Sequence, residues 1–265
     1  MLWEELTAQD LKAGAVESEG VCVLPIGVIE KHGDHLPLGT DMYSVRAVAE
    51  KAAEISTAVV FPYYFFGQIA EARHVPGCLA PSGRLIMDSL LEMCDEIHRN
   101  GFEKILLLSG HGGNGHFLPF FAQMFPGLKR HYAVYVHGAH LITEEQRKTV
   151  EARTGIGDMG SHAGFKEASV IMHLRPDLVH MDKVKVKESE SLERLKDLKD
   201  NSVFTGFNWY ADYPHHFAGD PSAAKAEYGA LIFDMLVSNT VNTIKAIKAD
   251  TVSPGLIAEY NSLAH

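Results

Sequence analysis

The sequence predicts an α/β protein in which helices cover a parallel β-sheet. Short apolar runs that end at proline or glycine alternate along the chain with segments of helical spacing, and this alternation is typical of consecutive strand–helix–strand units. Hydrophobic residues make up 46% of the chain and charged residues 22%, which is the balance of a packed globular protein. A chain of 265 residues can bury one large core, so we predict a single domain over residues 1–265.

Four segments have the composition of buried strands: residues 21–24, 58–61, 105–108 and 132–136. The first is closed by Pro25 and Gly27, and the second by Pro62. The third follows Asn100-Gly101, a pair typical of a helix end and a turn, and it runs into the glycine-rich loop 109–114. Continuous apolar runs of this length fit strands that are covered on both faces, as in a parallel sheet.

Helical spacing occupies three segments between and after these strands: residues 83–98, 115–124 and 144–151. From Pro221 onward, an apolar stripe that includes Tyr228, Ile232 and Met235 predicts a closing amphipathic helix with proline in its first turn. Residues 184–200 are rich in Lys, Glu and Asp, which predicts a solvated helix or a mobile excursion.

Charge and cysteine content argue against several classes of protein. A net charge of −10 and a pI near 5.8 leave no basic surface for nucleic acid or anionic lipid. The start Met-Leu-Trp-Glu-Glu-Leu lacks the features of a signal peptide, and no stretch approaches a membrane span, so we expect a cytoplasmic location. Three scattered cysteines without a Cys-x-x-Cys pair predict neither disulfides nor a thiolate site, so nitrogen and oxygen ligands would hold any metal.

The densest polar cluster, residues 30–35, directly follows the first predicted strand. Glu30 and His32 lie two residues apart, so their side chains point the same way in an extended segment. Asp41 comes shortly afterwards, and His111 follows the third strand at the corresponding edge of the sheet, where ligands of open parallel sheets bind. This donor set suits zinc, manganese or iron rather than calcium. The alternatives are an ordinary polar loop and a glycine loop that cradles a phosphate.

The chain resembles the creatininase family, the creatinine amidohydrolases and their relatives, in several segments. Residues 24–41, Leu-Pro-Ile-Gly-Val-Ile-Glu-Lys-His-Gly-Asp-His-Leu-Pro-Leu-Gly-Thr-Asp, resemble the first signature of that family. Residues 109–114, Ser-Gly-His-Gly-Gly-Asn, resemble the second, residues 162–169 with Leu174-Arg-Pro176 resemble the third, and Gly219-Asp-Pro221 fits the start of the last helix. The resemblance implies a three-layer α/β/α sandwich with a central, mostly parallel sheet, a binuclear metal site and a hexameric homo-oligomer.

Carried over residue by residue, the resemblance implies roles for the polar cluster. Glu30 and His111 are similar to the ligands of one divalent ion, His32 to a ligand of the other, and Asp41 to the bridge between them. Glu167 matches an acidic position that completes a metal shell or acts from just outside it, and a helix-terminus carboxylate is its alternative role. His162 resembles the histidine that moves a proton to the leaving nitrogen, and a core or capping histidine is its alternative role.

Two departures from the family pattern concern the substrate. Creatininases proper carry a glutamate at the position of Gly113, so one ion loses a carboxylate unless Glu167 replaces it. They also place tryptophans around the substrate ring, whereas residues 158–161 read Asp-Met-Gly-Ser and the chain has only Trp3 and Trp209. An aromatic clamp is therefore not expected, and we predict that creatinine is not the physiological substrate.

The sequence thus predicts an enzyme with two divalent ions per chain, in which metal-activated water hydrolyses the carbon–nitrogen bond of a small non-peptide amide. The Gly-His-Gly-Gly-Asn form of the second signature is similar to that of the formamide hydrolases of the family, so both a cyclic amide and a formamide fit. Two alternatives stay open. One is a non-catalytic binding or assembly protein that has lost the second ion because Gly113 stands in place of a glutamate. The other is a peptide-cleaving relative.

Overall fold

Four parallel strands form the central sheet of the computed structural model, which describes residues 1–264. The strands are β1 (Val21–Ile26), β2 (Val59–Val60), β3 (Lys104–Ser109) and β4 (Ala133–Gly138), and their order in the sheet is β2-β1-β3-β4. All four predicted strands are confirmed. The second strand is shorter than predicted because only its two central valines pair with β1.

Eleven α-helices surround the sheet in residues 1–264. They are α1 (Ala8–Glu17), α2 (Thr40–Ile55), α3 (Gly83–Arg99), α4 (Asn114–Gln123), α5 (Phe125–Leu128), α6 (Glu144–Thr154), α7 (Phe165–Leu174), α8 (Lys196–Asp200), α9 (Asn208–Asp212), α10 (Ala226–Ala249) and α11 (Val252–Leu263). Short 3-10 helices lie at Trp3–Glu5, Ala70–Ala72, Pro176–Leu178, Met181–Lys183 and Val186–Ser189. None of the helices in this part of the chain combines the length and the apolarity that crossing a membrane requires.

Alternate residues of the central strands enter two separate cores. Val23 and Leu106 pack with α2, α7 and α10 on one face, while Leu24 and Leu107 pack with α1, α3 and α4 on the other. Both faces of the sheet are therefore covered, which explains why the strands read as continuous apolar runs. The expected three-layer α/β/α sandwich is confirmed, and its sheet is entirely parallel.

The helix α3 shows how local signals set its bounds. Ser82 caps its first turn by accepting a hydrogen bond from the backbone N–H of Leu85 at 3.3 Å. Its apolar stripe, which includes Leu90 and Ile97, is buried. The helix ends at Arg99, and Gly101 follows with a φ of +100°, which favours glycine. The chain then enters β3, so the turn predicted at Asn100-Gly101 is confirmed.

The closing helix begins later than predicted. Pro221 lies well before Ala226, the first residue of α10, so the assignment of this proline to the first turn is wrong. The reason is tertiary: Gly219, with φ of +145°, crosses Gly160 and Gly164 in close backbone contact, and the chain after it makes a turn in which the N–H of Ala224 donates to the carbonyl of Pro221 at 2.8 Å. Residues 184–200 form only a short 3-10 turn and the five-residue helix α8.

The strand order creates a crevice at one edge of the sheet. The chain runs from β1 to one side to form β2 and then returns to the other side of β1 to form β3. Connections therefore diverge at the carboxyl ends of β1 and β3, which is the topological switch point where open α/β sheets bind ligands. Ile26 pairs with Ser109, so the two strands end at the same level and their following loops meet.

Candidate metal centre

The four side chains predicted as metal ligands meet at this switch point. Glu30 and His32 lie in the loop after β1, where the N–H of Glu30 donates to the carbonyl of Leu38 at 3.0 Å. Asp41 is the second residue of α2, and His111 follows β3. All four side chains are almost fully buried. The structure therefore brings together, at one point, residues from three separate elements.

Asp41 lies between the two imidazoles. Its Oδ1 atom is 3.2 Å from Nε2 of His32, and its Oδ2 atom is 3.0 Å from Nδ1 of His111. Oε1 of Glu30 is 2.8 Å from the same Nδ1 atom and 3.7 Å from Nε2 of His32. Each oxygen of Asp41 thus faces a different imidazole.

Donor atoms in this cluster form three overlapping groups, each with its atoms within 4.8 Å of one another: Glu30–Asp41–His111, His32–Asp41–Glu167 and Glu30–His32–His162. Oε1 of Glu30, Nε2 of His32 and Oδ2 of Asp41 are buried and face other donor atoms of the cluster, with no further hydrogen-bond partner in residues 1–264. Burying several ionisable groups together is costly. Divalent cations would satisfy these atoms, and mixed nitrogen and oxygen donors suit zinc, manganese or iron. The residues present therefore fit the predicted metal centre.

The charges in the cluster are strongly coupled. Burial opposes a charge on His32, but Asp41, Glu30 and Glu167 raise its pKa to about 9. Burial also opposes a charge on His111, and Glu30 and Asp41 raise its pKa well above the usual value. Burial disfavours the Asp41 carboxylate, yet the two imidazoles hold its pKa well below the usual range. The carboxylates thus hold cationic partners, and protons on the imidazoles compete with metal ions for this position.

Glu167 and His162 lie at the side of the cluster near His32. Oε2 of Glu167 accepts a hydrogen bond from the backbone N–H of Ala163 at 2.6 Å and is 3.7 Å from Nε2 of His32. Nε2 of His162 donates to the carbonyl of Lys31 at 2.8 Å, and its ring lies against that of His32 with 4.2 Å between centroids. Burial and the neighbouring His32 lower the pKa of His162 to about 4. His162 is therefore neutral at pH 7, with its proton on Nε2.

A backbone crossing holds His162 in place. The N–H of His162 donates to the carbonyl of Ala218, and the N–H of Ala218 donates back to the carbonyl of His162, at 2.9 Å and 3.0 Å. Next to this pair, the Cα atoms of Gly160, Gly164 and Gly219 approach so closely that a Cβ atom at any of them would overlap or crowd its neighbours. The three glycines therefore fix the distance between the two segments.

His216 and Trp209 also belong to the site, and the sequence interpretation missed their role. Nε2 of His216 donates to Oε2 of Glu30 at 2.7 Å, and Nε1 of Trp209 donates to Nδ1 of His216 at 3.0 Å. This chain of hydrogen bonds orients the Glu30 carboxylate through Oε2, while Oε1 faces His111. Trp209 also lines the pocket over the cluster. The structure thus places one of the two tryptophans at the pocket, a position that the sequence analysis did not predict.

The conformation at Gly113 explains the missing glutamate of the second signature. Nε2 of His111 donates to the main-chain carbonyl of Gln68 at 2.8 Å, which directs Nδ1 towards Glu30 and Asp41. A Cβ atom at Gly113 would overlap the His111 ring and lie 2.9 Å from the Gln68 carbonyl oxygen. A glutamate cannot occupy this position here, and Glu167 is the carboxylate grouped with His32 and Asp41.

Two further histidines near the predicted motifs have structural contacts. Nε2 of His35 donates to the carbonyl of Ala163 at 3.0 Å, which supports the segment that carries His162. Nε2 of His74 donates to the carbonyl of Pro214 at 2.9 Å. Above the cluster, a cavity of about 290 Å³ is lined by Glu30, Asp41, Glu71, His111, Lys166 and Trp209 among others. We refer to it as the metal pocket.

Comparisons with known proteins agree with the fold and with the resemblance to the creatininase family. The model of a family described as creatininase, creatinine amidohydrolase, matches residues 4–244. The creatinine amidohydrolase of Pseudomonas putida is 25% identical over 194 residues, which cover 68% of this chain and 74% of that protein. The mycofactocin precursor peptide peptidase of Mycolicibacterium smegmatis is 26% identical over 234 residues, which cover 86% of this chain and 85% of that protein.

Solved creatininases share the fold. A crystal structure of creatinine amidohydrolase superposes with a TM-score of 0.74 at 22% identity, covering 94% of this chain and 98% of that one. A creatininase described by its manganese superposes with a TM-score of 0.75 at 20% identity, covering 94% and 99% of the two chains. At these identities the superpositions establish the three-layer architecture.

Proposed function

Because the chain belongs to the creatininase family, we propose that it is a metal-dependent hydrolase that cleaves a carbon–nitrogen bond of a small non-peptide amide, either a cyclic amide or a formamide. The observation that carries this proposal is the cluster of Glu30, His32, Asp41 and His111, in which buried carboxylate and imidazole donor atoms lie within 4.8 Å of one another. Ionisable groups are expensive to bury together in a protein that does not bind a cation with them. This cost argues against the alternative of a non-catalytic assembly protein.

We propose two divalent ions per chain, with zinc, manganese or iron as candidates. Glu30, Asp41 and His111 would hold one ion, and His32, Asp41 and Glu167 the other. When bound, such ions supply Lewis acidity, which lowers the pKa of a water molecule and polarises the carbonyl of the amide. Related creatininases described as manganese and Zn–Zn types support this choice of metals.

The residues around the ions would manage the proton that hydrolysis transfers. His162 is neutral and keeps its Nε2 proton on the carbonyl of Lys31, so the lone pair on Nδ1 is the one that can accept a proton from the attacking water. The same imidazole then returns this proton to the departing nitrogen, which leaves as a neutral amine or amide. Lys166, which lines the metal pocket, supplies a positive charge beside the developing oxyanion.

Peptide cleavage is a second candidate, and a specific finding favours it. The curated peptide peptidase from Mycolicibacterium smegmatis matches 86% of this chain, more than the creatinine amidohydrolase from Pseudomonas putida, which matches 68%. The same catalytic groups serve both bonds, since both reactions attack an amide carbonyl and protonate a nitrogen. By resemblance to its family we also propose a homo-oligomer, with six chains as the expected number.

Elemental analysis of metal content per chain tests the proposal first. The protein is purified without chelator or metal-binding tag as wild type, as Asp41→Ala and as the control Asp197→Ala, which alters an exposed carboxylate on α8. We expect about two ions in wild type and the control and a loss in Asp41→Ala. A metal-free wild type would contradict the proposal.

An activity screen then distinguishes the substrates. The metal-loaded wild type is incubated with creatinine, cyclic amides, formamides and short peptides, and loss of substrate and appearance of product are measured by chromatography. Hydrolysis of a formamide or a cyclic amide supports the first candidate, while cleavage of peptides alone selects the second. Substantial turnover of creatinine would contradict the prediction that creatinine is not the physiological substrate.

A further inference from the structure

A second cavity adjoins the metal pocket. This outer groove has a volume of about 430 Å³ and is lined by Glu71, Arg73, His74, Phe207 and Tyr210 among others. Glu71 lines both cavities, so the groove opens beside the metal cluster. Pockets for small ligands usually measure about 300–1,000 Å³. The metal pocket alone, at about 290 Å³, lies at the bottom of that range, and the outer groove gives a bound molecule room to extend.

The wall of the outer groove exposes aromatic rings on a fixed frame. Phe207 is 70% exposed and Tyr210 is 37% exposed. The ring of His74 packs edge-on against that of Tyr210 at 4.8 Å, and its Nε2 atom donates to the carbonyl of Pro214. Trp209 lies next to Tyr210 on α9, and its indole N–H donates to Nδ1 of His216. Apolar rings that are held in place beside a pocket and left in solvent offer contact area to a ligand.

Glu71 places a negative charge at the junction of the two cavities. Its carboxylate is half-buried, and Oε2 accepts a hydrogen bond from the side-chain amide of Gln68 at 2.9 Å. In residues 1–264, no Lys or Arg nitrogen lies within 4.0 Å of it. None of the three groups of candidate metal ligands in the same residues includes it either. The carboxylate is therefore positioned by Gln68 and, among the described residues, belongs to no ion pair with Lys or Arg and to no group of candidate metal ligands.

We infer that Glu71 binds an ammonium group of the substrate, next to the amide that is cleaved, and that the outer groove holds an apolar or aromatic side chain of the same molecule. The substrate is thus an amide derived from an amino acid. This inference rests on the proposed function, because it places the reacting carbonyl at the metal cluster. An ammonium group and a carboxylate form a charge-assisted hydrogen bond, and Phe207 and Tyr210 provide the apolar contact.

Three hydroxamates test the inference through binding rather than turnover, because a hydroxamate chelates divalent ions through two oxygens. L-Phenylalanine hydroxamate carries the amine and the ring, 3-phenylpropanohydroxamate carries only the ring, and acetohydroxamate carries neither. Their Kd values for metal-loaded protein are measured by calorimetry at about pH 6.5, where an α-amine is charged. We expect wild type to bind the amine-bearing compound roughly tenfold more tightly than its amine-free analogue, as for one charge-assisted hydrogen bond.

Glu71→Gln removes the charge and keeps the size of the side chain, so it should abolish this preference without changing the Kd of 3-phenylpropanohydroxamate. The matched control Glu92→Gln alters an exposed carboxylate on α3 and should keep the preference. Phe207→Ala should raise the Kd of both aromatic hydroxamates and leave the Kd of acetohydroxamate unchanged.

The outcomes separate the inference from the function on which it rests. Equal affinity of wild type for the two aromatic compounds, with acetohydroxamate still bound, overturns the role of Glu71 and leaves the metal centre intact. A preference that survives in Glu71→Gln also overturns that role. Failure of all three hydroxamates to bind overturns the proposed metal centre and the inference together.

Discussion

Gly113 leaves space for the hydrogen bond that orients His111. In the structure, the main chain of Gln68 accepts from Nε2 of His111 at 2.8 Å, and Gln68 is itself fixed by a backbone N–H bond to the Asn114 side chain at 3.0 Å. A Cβ atom at position 113 would overlap the His111 ring. The absence of the family glutamate is therefore tied to how this chain holds a metal ligand, and restoring a side chain there would disturb the cluster.

We predict that Gly113→Ala weakens metal binding. The added methyl group would displace the His111 ring and break its hydrogen bond to the Gln68 carbonyl, which sets the orientation of the ring. Loss of such support typically lowers metal affinity by about tenfold to hundredfold. The Kd is measured by competition with a chromogenic chelator. The control is Gly112→Ala, since a Cβ atom at Gly112 meets nothing within 4 Å. Equal affinity in the two variants would show that the His111–Gln68 bond does not support the site.

A second prediction concerns the indole N–H of Trp209. Trp209→Phe keeps an aromatic ring but removes the donor to His216, so the imidazole that holds Oε2 of Glu30 loses its own anchor. We expect roughly tenfold weaker metal binding by the same competition measurement. Trp3→Phe is the matched control, because Trp3 packs against Phe61 and Phe102 in the core of the opposite layer. Unchanged affinity in Trp209→Phe would argue against the relay.

Among the site residues, the sequence predicts those that follow a strand closely. It misses those that come from segments distant in the chain. Glu30, His32 and His111 follow apolar runs directly, so sheet topology alone brings them together. His216 reaches Glu30 across 186 positions, from a segment between residues 204 and 217 that has no readable periodicity. Only the rarity of tryptophan in the chain could have drawn attention to Trp209.

Among the elements, the crossing of the segments around residues 160 and 219 decides where His162 lies. Gly219→Ala would place a Cβ atom 2.8 Å from the Cα of Gly160 and 3.0 Å from that of Gly164, at a φ of +145° that disfavours any other residue. We predict a loss of about 1–3 kcal/mol in the free energy of unfolding, measured by urea denaturation, and reduced activity through displacement of His162.

The control for this prediction is Gly83→Ala, at the start of α3, where a Cβ atom meets nothing within 4 Å. Alanine also favours a helix over glycine, so this variant should be as stable as wild type or slightly more stable. A Gly219→Ala protein with wild-type stability would mean that the crossing tolerates separation and does not fix His162.

Element boundaries follow the sequence where local chemistry determines them. The start of α3 after Ser82, its end before Gly101 and most of β3 could be predicted, because capping, glycine and apolar runs act within a few residues. The start of α10 could not be predicted from Pro221, since the backbone contact of Gly219 with Gly160 and Gly164 prevails over the local preference of proline for a first helical turn.

For the molecule as a whole, the order β2-β1-β3-β4 links the fold to the site. The sequence predicts parallel strands and alternating helices, but it contains no direct signal for which strand lies beside which. Once β1 and β3 are neighbours, the loops with Glu30 and His111 meet, and α2 contributes Asp41 from its first turn. The family resemblance implies a central parallel sheet, and the structure gives the order of its strands.

The last prediction concerns the stability of the whole fold without metal. Asp41, Glu30 and Glu167 raise the pKa of His32 to about 9 from an ordinary value of 6.5, so the metal-free fold binds a proton that the unfolded chain releases more readily. This contribution to stability is fully present below pH 6.5 and is lost as the pH rises through about 9. The Asp41 carboxylate, whose pKa is lowered, stays ionised throughout that window. It therefore does not contribute to the change of stability with pH.

Chelator-treated protein should therefore melt at a lower temperature at pH 9 than at pH 6.5, measured by calorimetry across the window set by His32. Metal-loaded protein should show the opposite trend, because ions bind the deprotonated ligands and displace protons. In chelator-treated Asp41→Asn, the slope should flatten, since the carboxylate that most raises the His32 pKa is gone. A flat profile in chelator-treated wild type would mean that the imidazoles are not held as cations between the carboxylates, and the electrostatic account of the cluster would fail.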